Sequence, residues 1–242
     1  MKLICVGTGS NGNCYLLECN GRFLVLDAGC KNKQVLIACD FKPSTIDAVL
    51  VTHVHGDHAK YIKDFRQDNI DVYTGCEQAK AISDMYCQKC NVIHPKRWND
   101  INGNWKVLPF NVPHDGVYNF AYVIKSPDGS HVVLYATDFE YLPFTLKSFG
   151  INTWLIECNY SGELDASEHR NKLNHVLRGH SSLDTVKGII NANMNEHMKN
   201  ILLCHLSANN ADSSAILKEL NEIIDSSKIK IDIAQQQKTY QL

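Results

Sequence analysis

One stretch limits what this chain can become more than any other: Asp47 to His58, which reads DAVLVTHVHGDH. It opens with Ala48-Val49-Leu50-Val51, an apolar run short and β-branched enough to be a buried strand. Four metal-ligating side chains follow within six residues: His53, His55, Asp57 and His58. In extended backbone, side chains two residues apart share a side, so His53 and His55 can grip one ion together. Gly56 allows a sharp turn, expected to swing Asp57 and His58 towards a second ion. Neutral imidazole with carboxylate suits zinc, and also manganese or iron. A single histidine near a strand end is ordinarily packed or solvated. Four ligands in this order, behind a strand, predict a metal centre.

The T-H-x-H-x-D-H pattern after a buried strand resembles the signature of the metallo-β-lactamase superfamily. The resemblance implies an α+β fold, the four-layer αββα metallo-β-lactamase sandwich, with one or two metals at one edge. It also implies three further ligands, each just past a strand: a lone His, a lone Asp and a late His. The chain supplies them as Val112-Pro113-His114, Thr137-Asp138 and Cys204-His205. On this resemblance His53, His55 and His114 hold one ion, Asp57, His58 and His205 hold another, and Asp138 bridges them. The cofactors expected are therefore two divalent metal ions, zinc first and manganese second. Two such ions can share a water and lower its pKa towards 7. Asp57 stands where a carboxylate could orient that water.

The stretch Gly179-His180-Ser181-Ser182 is similar to the G-H-S-T segment of tRNase Z, which makes His180 the candidate general acid or phosphate clamp. Gly9-Ser10-Asn11-Gly12-Asn13-Cys14, Asn174 to Ser182 and His205-Leu206-Ser207 resemble segments of the small WalJ/YycJ-type nucleases over nearly the whole chain. That branch implies metal-dependent 5′-to-3′ exonuclease activity. The stretch between Asp138 and His205 is too short for the inserted β-CASP domain of RNase J-like enzymes, and no long Gly/Pro-rich tRNA-holding arm is present.

The remaining sequence suits this picture. A chain of 242 residues, 44% hydrophobic, fits one domain spanning 1–242 with a sizeable core. Its net charge of -2 sets it apart from strongly basic nucleic-acid binders. No secretory pattern opens the chain and no apolar run is long enough for a bilayer, so a cytoplasmic location and no membrane partner are expected. The ten cysteines are scattered, and Cys5, Cys14, Cys158 and Cys204 lie in strand-like runs, which favours buried free thiols over disulfides. Cys87-x-x-Cys90, with Cys76 and His94, could make a Cys3His structural zinc site; reduced surface thiols are the simpler expectation.

Strands are expected over Leu3–Val6, in a hairpin across Asn20-Gly21, at Asp71–Thr74, Trp105–Val112, Val117–Lys125, His131–Thr137, Trp154–Cys158, Asn200–Cys204 and Lys228–Ile233. Helices are expected over Lys31–Asp40, Ala59–Gln67, Glu77–Tyr86, Asp165–Leu177, from the Ser182 cap through Ala192, and over Ala211–Ile224. Lys60, Lys63 and Arg66 would form a basic helix face, either solvated or in contact with a substrate phosphate. The Gly-Asn-rich loop at Gly7–Asn13 lacks the Lys-Ser/Thr of a P-loop and precedes a hairpin, which argues against nucleotide binding of that kind. Asp27-Ala28-Gly29 resembles the superfamily's D-x-G turn and is expected to be structural.

The function that follows is a dinuclear phosphodiester hydrolase whose partner is a nucleic acid or a nucleotide phosphodiester. A cyclic-nucleotide phosphodiesterase is the second reading, a thioesterase or glyoxalase II-like hydrolase the third, and a non-catalytic metal-stabilised module the last. The sequence is compatible with a homodimer and does not fix the oligomeric state.

Overall fold

Period-2 apolar patterning builds two sheets whose facing sides carry the largest buried residues. The computed structural model describes residues 1–162 and 176–242. Its first strands are β1 (Lys2–Gly7), β2 (Cys14–Cys19), β3 (Arg22–Leu26), β4 (Ile46–Leu50), β5 (Val72–Thr74) and β6 (Asn91–Val92). Then come β7 (Asn99–Ile101), β8 (Trp105–Val112), β9 (Asn119–Lys125), β10 (Val132–Ala136), β11 (Thr153–Glu157), β12 (Asn200–Cys204), β13 (Lys230–Ile233) and β14 (Lys238–Gln241). One seven-stranded sheet has the order β14-β1-β2-β3-β4-β5-β6 and the other β13-β12-β11-β10-β9-β8-β7. The expected hairpin joins β2 and β3, with Asn20 and Gly21 at φ 52° and 76°, the twist a tight two-residue turn needs.

Leu3, Tyr15, Leu17, Leu24 and Leu50 of the first sheet meet Trp105, Tyr122, Tyr135, Leu155 and Leu202 of the second. Trp105 is fully buried and its indole N–H donates to Asp47 Oδ2 at 2.9 Å, tying the sheets together. Truncating it to Ala would cost about 3–5 kcal/mol. The outer face of the first sheet (Leu16, Val25, Val49, Val72) is covered by α1 (Asn32–Ala38), α2 (Gly56–Ala59), α3 (Ile62–Gln67) and α4 (Cys76–Tyr86), through Val35, Ala59, Ile62, Phe65 and Ile82. The outer face of the second (Leu134, Trp154, Ile156, Leu203) is covered by α5 (Leu183–Asn193) and α6 (Ser213–Ile223). Ser182 Oγ accepts from Thr185 N and caps α5 as expected. The layers therefore run helix, sheet, sheet, helix, the αββα sandwich that was expected.

Three details differ from the sequence reading. The helix expected over Ala59–Gln67 breaks at Tyr61, whose N–H donates to Ala28 O instead of continuing the ladder. Lys60, Lys63 and Arg66 thus share no single helix face, and Arg66 pairs with Asp71. Beyond the strand predicted to close the chain, β14 returns to pair antiparallel with β1. The helix predicted over 165–177 falls mostly outside the described residues.

Candidate metal centre

Strand ends deliver the site. β3 runs into Asp27, β4 into Thr52-His53, β8 into Pro113-His114, β10 into Thr137-Asp138 and β12 into His205, while Glu157 is the last residue of β11. β3 and β4 are parallel, and β10, β11 and β12 are parallel, so the ends of each set lie at one edge. Asp27, Asp138 and His205 adopt φ of 63°, 52° and 52°. That left-handed turn takes each side chain out of the pleat and aims it along the edge. Asp and His tolerate it better than most residues, at a cost of about 1–3 kcal/mol each. At Gly56 the chain turns into α2, and that short helix presents Asp57 and His58.

His53, His55 and His114 form one group. His53 Nε2 and His114 Nε2 each lie 3.1 Å from His55 Nδ1. The far side of two rings is committed. His114 Nδ1–H donates to Gly179 O at 2.7 Å. The Thr52 hydroxyl donates to Asp27, at 3.0 and 3.1 Å from its two oxygens, and so accepts from His53 Nδ1–H at 3.0 Å. Both Nε2 atoms then present their lone pairs on the side of His55. Burial, helped by the neighbouring imidazoles, holds His53 and His114 below the ordinary histidine pKa, hence neutral.

Asp57, His58, Asp138 and His205 form the second group. His58 Nδ1–H donates to Asp27 Oδ2 at 2.7 Å, so its Nε2 faces Asp138 Oδ2 at 2.6 Å and Asp57 Oδ2 at 3.3 Å. His205 Nε2 lies 3.2 Å from Asp57 Oδ2 and 3.3 Å from Asp138 Oδ1. Asp138 Oδ2 is also 3.4 Å from His53 Nε2, which places this carboxylate between the two groups. Asp138 is 1% exposed, and its Oδ1 makes no hydrogen bond of acceptable geometry. Burial opposes the charge on Asp138, yet His205 and His58 hold its carboxyl well below the usual range. Burial likewise opposes protonation of His58 and His205, but Asp138 and its acidic neighbours push both up, His205 to about 10.

A buried carboxylate whose Oδ1 makes no hydrogen bond, set among imidazoles gathered on both sides of it, is a donor set of the kind that holds a cation. All seven sequence-predicted ligands are brought together, in two groups whose composition fits divalent metal.

The metallo-β-lactamase superfamily model matches residues 7–77. The chain is 27% identical over 242 residues to the exodeoxyribonuclease WalJ of Streptococcus pneumoniae serotype 2 (strain D39 / NCTC 7466), covering 92% of this chain and 88% of that one. Its fold superimposes on the metallo-β-lactamase fold protein YhfI from Bacillus subtilis with a TM-score of 0.71 at 19% identity, over 99% and 98% of the two chains. A diphosphatase from the PhnP family matches with a TM-score of 0.69 at 16% identity, over 99% and 96%.

The candidate metal centre has a partner that sequence reasoning missed. Glu157 is fully buried, and its Oε1 accepts from His180 Nδ1 at 2.7 Å, with His205 Nδ1 at 3.2 Å. Its Oε2 accepts from the backbone N–H of Ser181 at 3.1 Å and of Phe139 at 3.3 Å. His180 Nδ1 also lies 3.3 Å from Asp138 Oδ1, so the residue singled out by its GHSS context stands beside the centre. Burial works against its charge, but Glu157 and Asp138 push its pKa up to about 11. The available signal was a lone carboxylate ending the apolar run Trp154-Leu155-Ile156.

Asp27 is structural in a specific sense: it fixes His53 through Thr52 and fixes His58 directly, and it accepts from Tyr135 Oη at 2.5 Å. The Cys3His zinc site does not assemble among the described residues. Cys76 begins α4 and Cys87 caps its far end, so helix rise alone keeps them roughly 16 Å apart. The ten cysteines are free, and Cys5, Cys14, Cys158 and Cys204 are buried as expected. No helix among the described residues is long and apolar enough to cross a membrane.

Proposed function

We propose that this metal-dependent hydrolase cleaves phosphodiester bonds, as an exonuclease trimming nucleic acid from 5′ to 3′, through one domain spanning residues 1–242. The observation that carries the reading is the position of His180, set beside Asp138 and backed by Glu157. A phosphodiester leaves as an alkoxide, which needs a proton, and His180 is the group placed to give it. The relation to WalJ along most of both chains supports nucleic acid as the substrate class.

Two divalent ions, zinc first and manganese second, would be held by His53, His55 and His114 and by Asp57, His58 and His205, with Asp138 shared, and would supply Lewis-acid activation of water and charge neutralisation at phosphorus. Asp57 stays ionised, because His58 and His205 outweigh the burial that opposes its charge. As an acceptor it orients the attacking water. The Glu157 carboxylate takes the Nδ1–H of His180, which leaves the proton for transfer on Nε2. Protonation of the leaving oxygen from that nitrogen completes the displacement.

The test is turnover of bis-p-nitrophenyl phosphate and of end-labelled oligonucleotides by metal-loaded protein, with and without chelator, alongside Asp57→Ala and His180→Ala. Chelator-sensitive trimming from the 5′ end, lost in Asp57→Ala, is the expected result. Activity retained in Asp57→Ala would contradict its water-orienting role. Thioester turnover indifferent to His180→Ala would move the protein to the thioesterase reading, and turnover confined to cyclic mononucleotides to the cyclic-nucleotide one.

A further inference from the structure

We propose that the cleft flanking the Asp57–His205 side of the centre is a binding subsite for a phosphate of the substrate strand, next to the bond that is cut. The inference rests on the nucleic-acid reading above. The cleft has a volume of about 420 Å³, and its lining includes Thr8, Asn11, Gly12, Lys31, Lys33 and Tyr61. No Asp or Glu is among its described lining residues, although the chain as a whole carries a net charge of -2. The contrast is with the cleft that Asp47, Asp68 and Asp71 line. A third lysine is close by: Lys60 Nζ lies 5.4 Å from the centre of the Tyr61 ring.

The walls of this cleft are also the supports of the second ligand group. Thr8 Oγ1 accepts from His205 N at 3.0 Å. Asn13, which follows Gly12, places its Nδ2 3.3 Å from Asp57 Oδ2 and 3.0 Å from His58 Nε2, and its N–H donates to Asp57 O at 2.7 Å. Tyr61 N–H donates to Ala28 O, and Ala28 N–H to His58 O at 2.7 Å. A strand with one phosphate at the ligand groups would have beside it a concave surface lined by two lysines, side-chain amides and one aromatic ring. Ammonium groups hold phosphate as point charges, and an aromatic face suits a sugar or base beside it. Lysines serving only solubility have no reason to share a carboxylate-free cleft with the catalytic ligands' own supports.

The experiment compares wild type with Lys31→Ala/Lys33→Ala and Lys31→Glu/Lys33→Glu. The substrates are a 5′-phosphorylated oligonucleotide, its 5′-hydroxyl counterpart and bis-p-nitrophenyl phosphate, which has no neighbouring phosphate. The ratio of oligonucleotide to bis-p-nitrophenyl phosphate kcat/KM should fall on the order of tenfold in the Ala pair and further in the Glu pair. Binding of a phosphorothioate oligonucleotide should lose roughly 1.4 from its log-log salt slope, the share of two single-strand phosphate contacts. A penalty confined to the 5′-phosphorylated strand assigns the cleft to the terminal phosphate, and an equal penalty on both strands assigns it to an internal one. An active wild type whose lysine variants keep the ratio and the slope overturns this inference alone. A wild type that turns over bis-p-nitrophenyl phosphate but neither binds nor cuts oligonucleotides overturns the nucleic-acid reading, and the subsite with it.

Discussion

Replacing Glu157 by Gln tests the proton-donating arrangement most directly. In the wild type one carboxylate oxygen receives His180 Nδ1–H at 2.7 Å, and the other receives the N–H groups of Ser181 and Phe139. Glutamine has one acceptor oxygen and one NH2. If its oxygen serves the backbone N–H groups, its NH2 faces His180 Nδ1, which must then lose its proton. If its oxygen serves His180, two buried N–H groups face a donor. The first choice removes the negative charge that favours imidazolium, and the second leaves buried donors unsatisfied at about 1–3 kcal/mol. General acid catalysis is worth about 10²–10⁴-fold, so kcat on an oligonucleotide should fall by that factor, about 3–5 kcal/mol in the transition state. KM should hardly move, because Glu157 is buried behind His180. A p-nitrophenolate leaves without a proton, so bis-p-nitrophenyl phosphate turnover should fall less than tenfold by the same logic. Steady-state kinetics on the two substrates reads the difference. Equal losses on both would refute the argument and make Glu157 merely a structural prop; no loss on either would remove His180 from the acid role. Thermal melting should drop by roughly 3–10 °C, which sets the structural share apart from the catalytic one.

Two further outcomes follow from the geometry. An alanine Cβ at position 29 would sit 1.8 Å from Asp57 O and 2.6 Å from Asn13 N; since both are backbone atoms, Gly29→Ala should displace the Asp57 loop at a cost of at least about 1–3 kcal/mol and reduce the metal retained after dialysis, measured by elemental analysis, whereas full retention would mean the loop moves freely. In metal-free protein His180 and His205 are pushed up to about 11 and about 10 against carboxylates that outweigh their burial. Raised folded-state values contribute stability that is complete below about pH 6.5, the unfolded value, and is lost as pH climbs through 10 to 11. Chelated protein should therefore melt progressively lower from pH 6.5 to 10, while the stabilisation gained on adding zinc grows over the same range because metal must displace the proton on His205; a chelated melting temperature flat across that window would contradict it.

The sequence exposed what is local and hid what is distant. The ligand cluster from His53 to His58 was legible because its residues are adjacent and their chemistry is strict. Strand ends carrying His114, Asp138 and His205 were legible because apolar runs mark strands and the resemblance said what should follow them. The Asn20-Gly21 hairpin announced itself through turn residues that accept positive φ. β14 was missed because Lys238-Thr239-Tyr240-Gln241 has a single buried apolar residue, Tyr240, and its partner β1 lies at the other end of the chain. The broken helix at Tyr61 was missed for the same reason: its N–H is diverted to Ala28, a contact no window of sequence contains. Glu157 is hidden in sequence because it sits inside an apolar strand run, and its partners His180 and His205 lie 23 and 48 residues further along the chain.

Asp27 shows how the two sheets are joined chemically at this edge. It belongs to the first sheet's β3 end, yet one of its oxygens accepts from Tyr135 of β10 in the second sheet and from His58 of α2. Glu157 does the reverse job on the second sheet, holding His180 and His205. Asp27 thus supports a histidine in each ligand group, Glu157 supports His205, and Asp138 stands between the groups. Because both carboxylates are anchored by rigid strands, histidine positions are set before any ion arrives, and the left-handed turns at Asp27, Asp138 and His205 are tolerated because the packed sheets on either side leave these residues no other route.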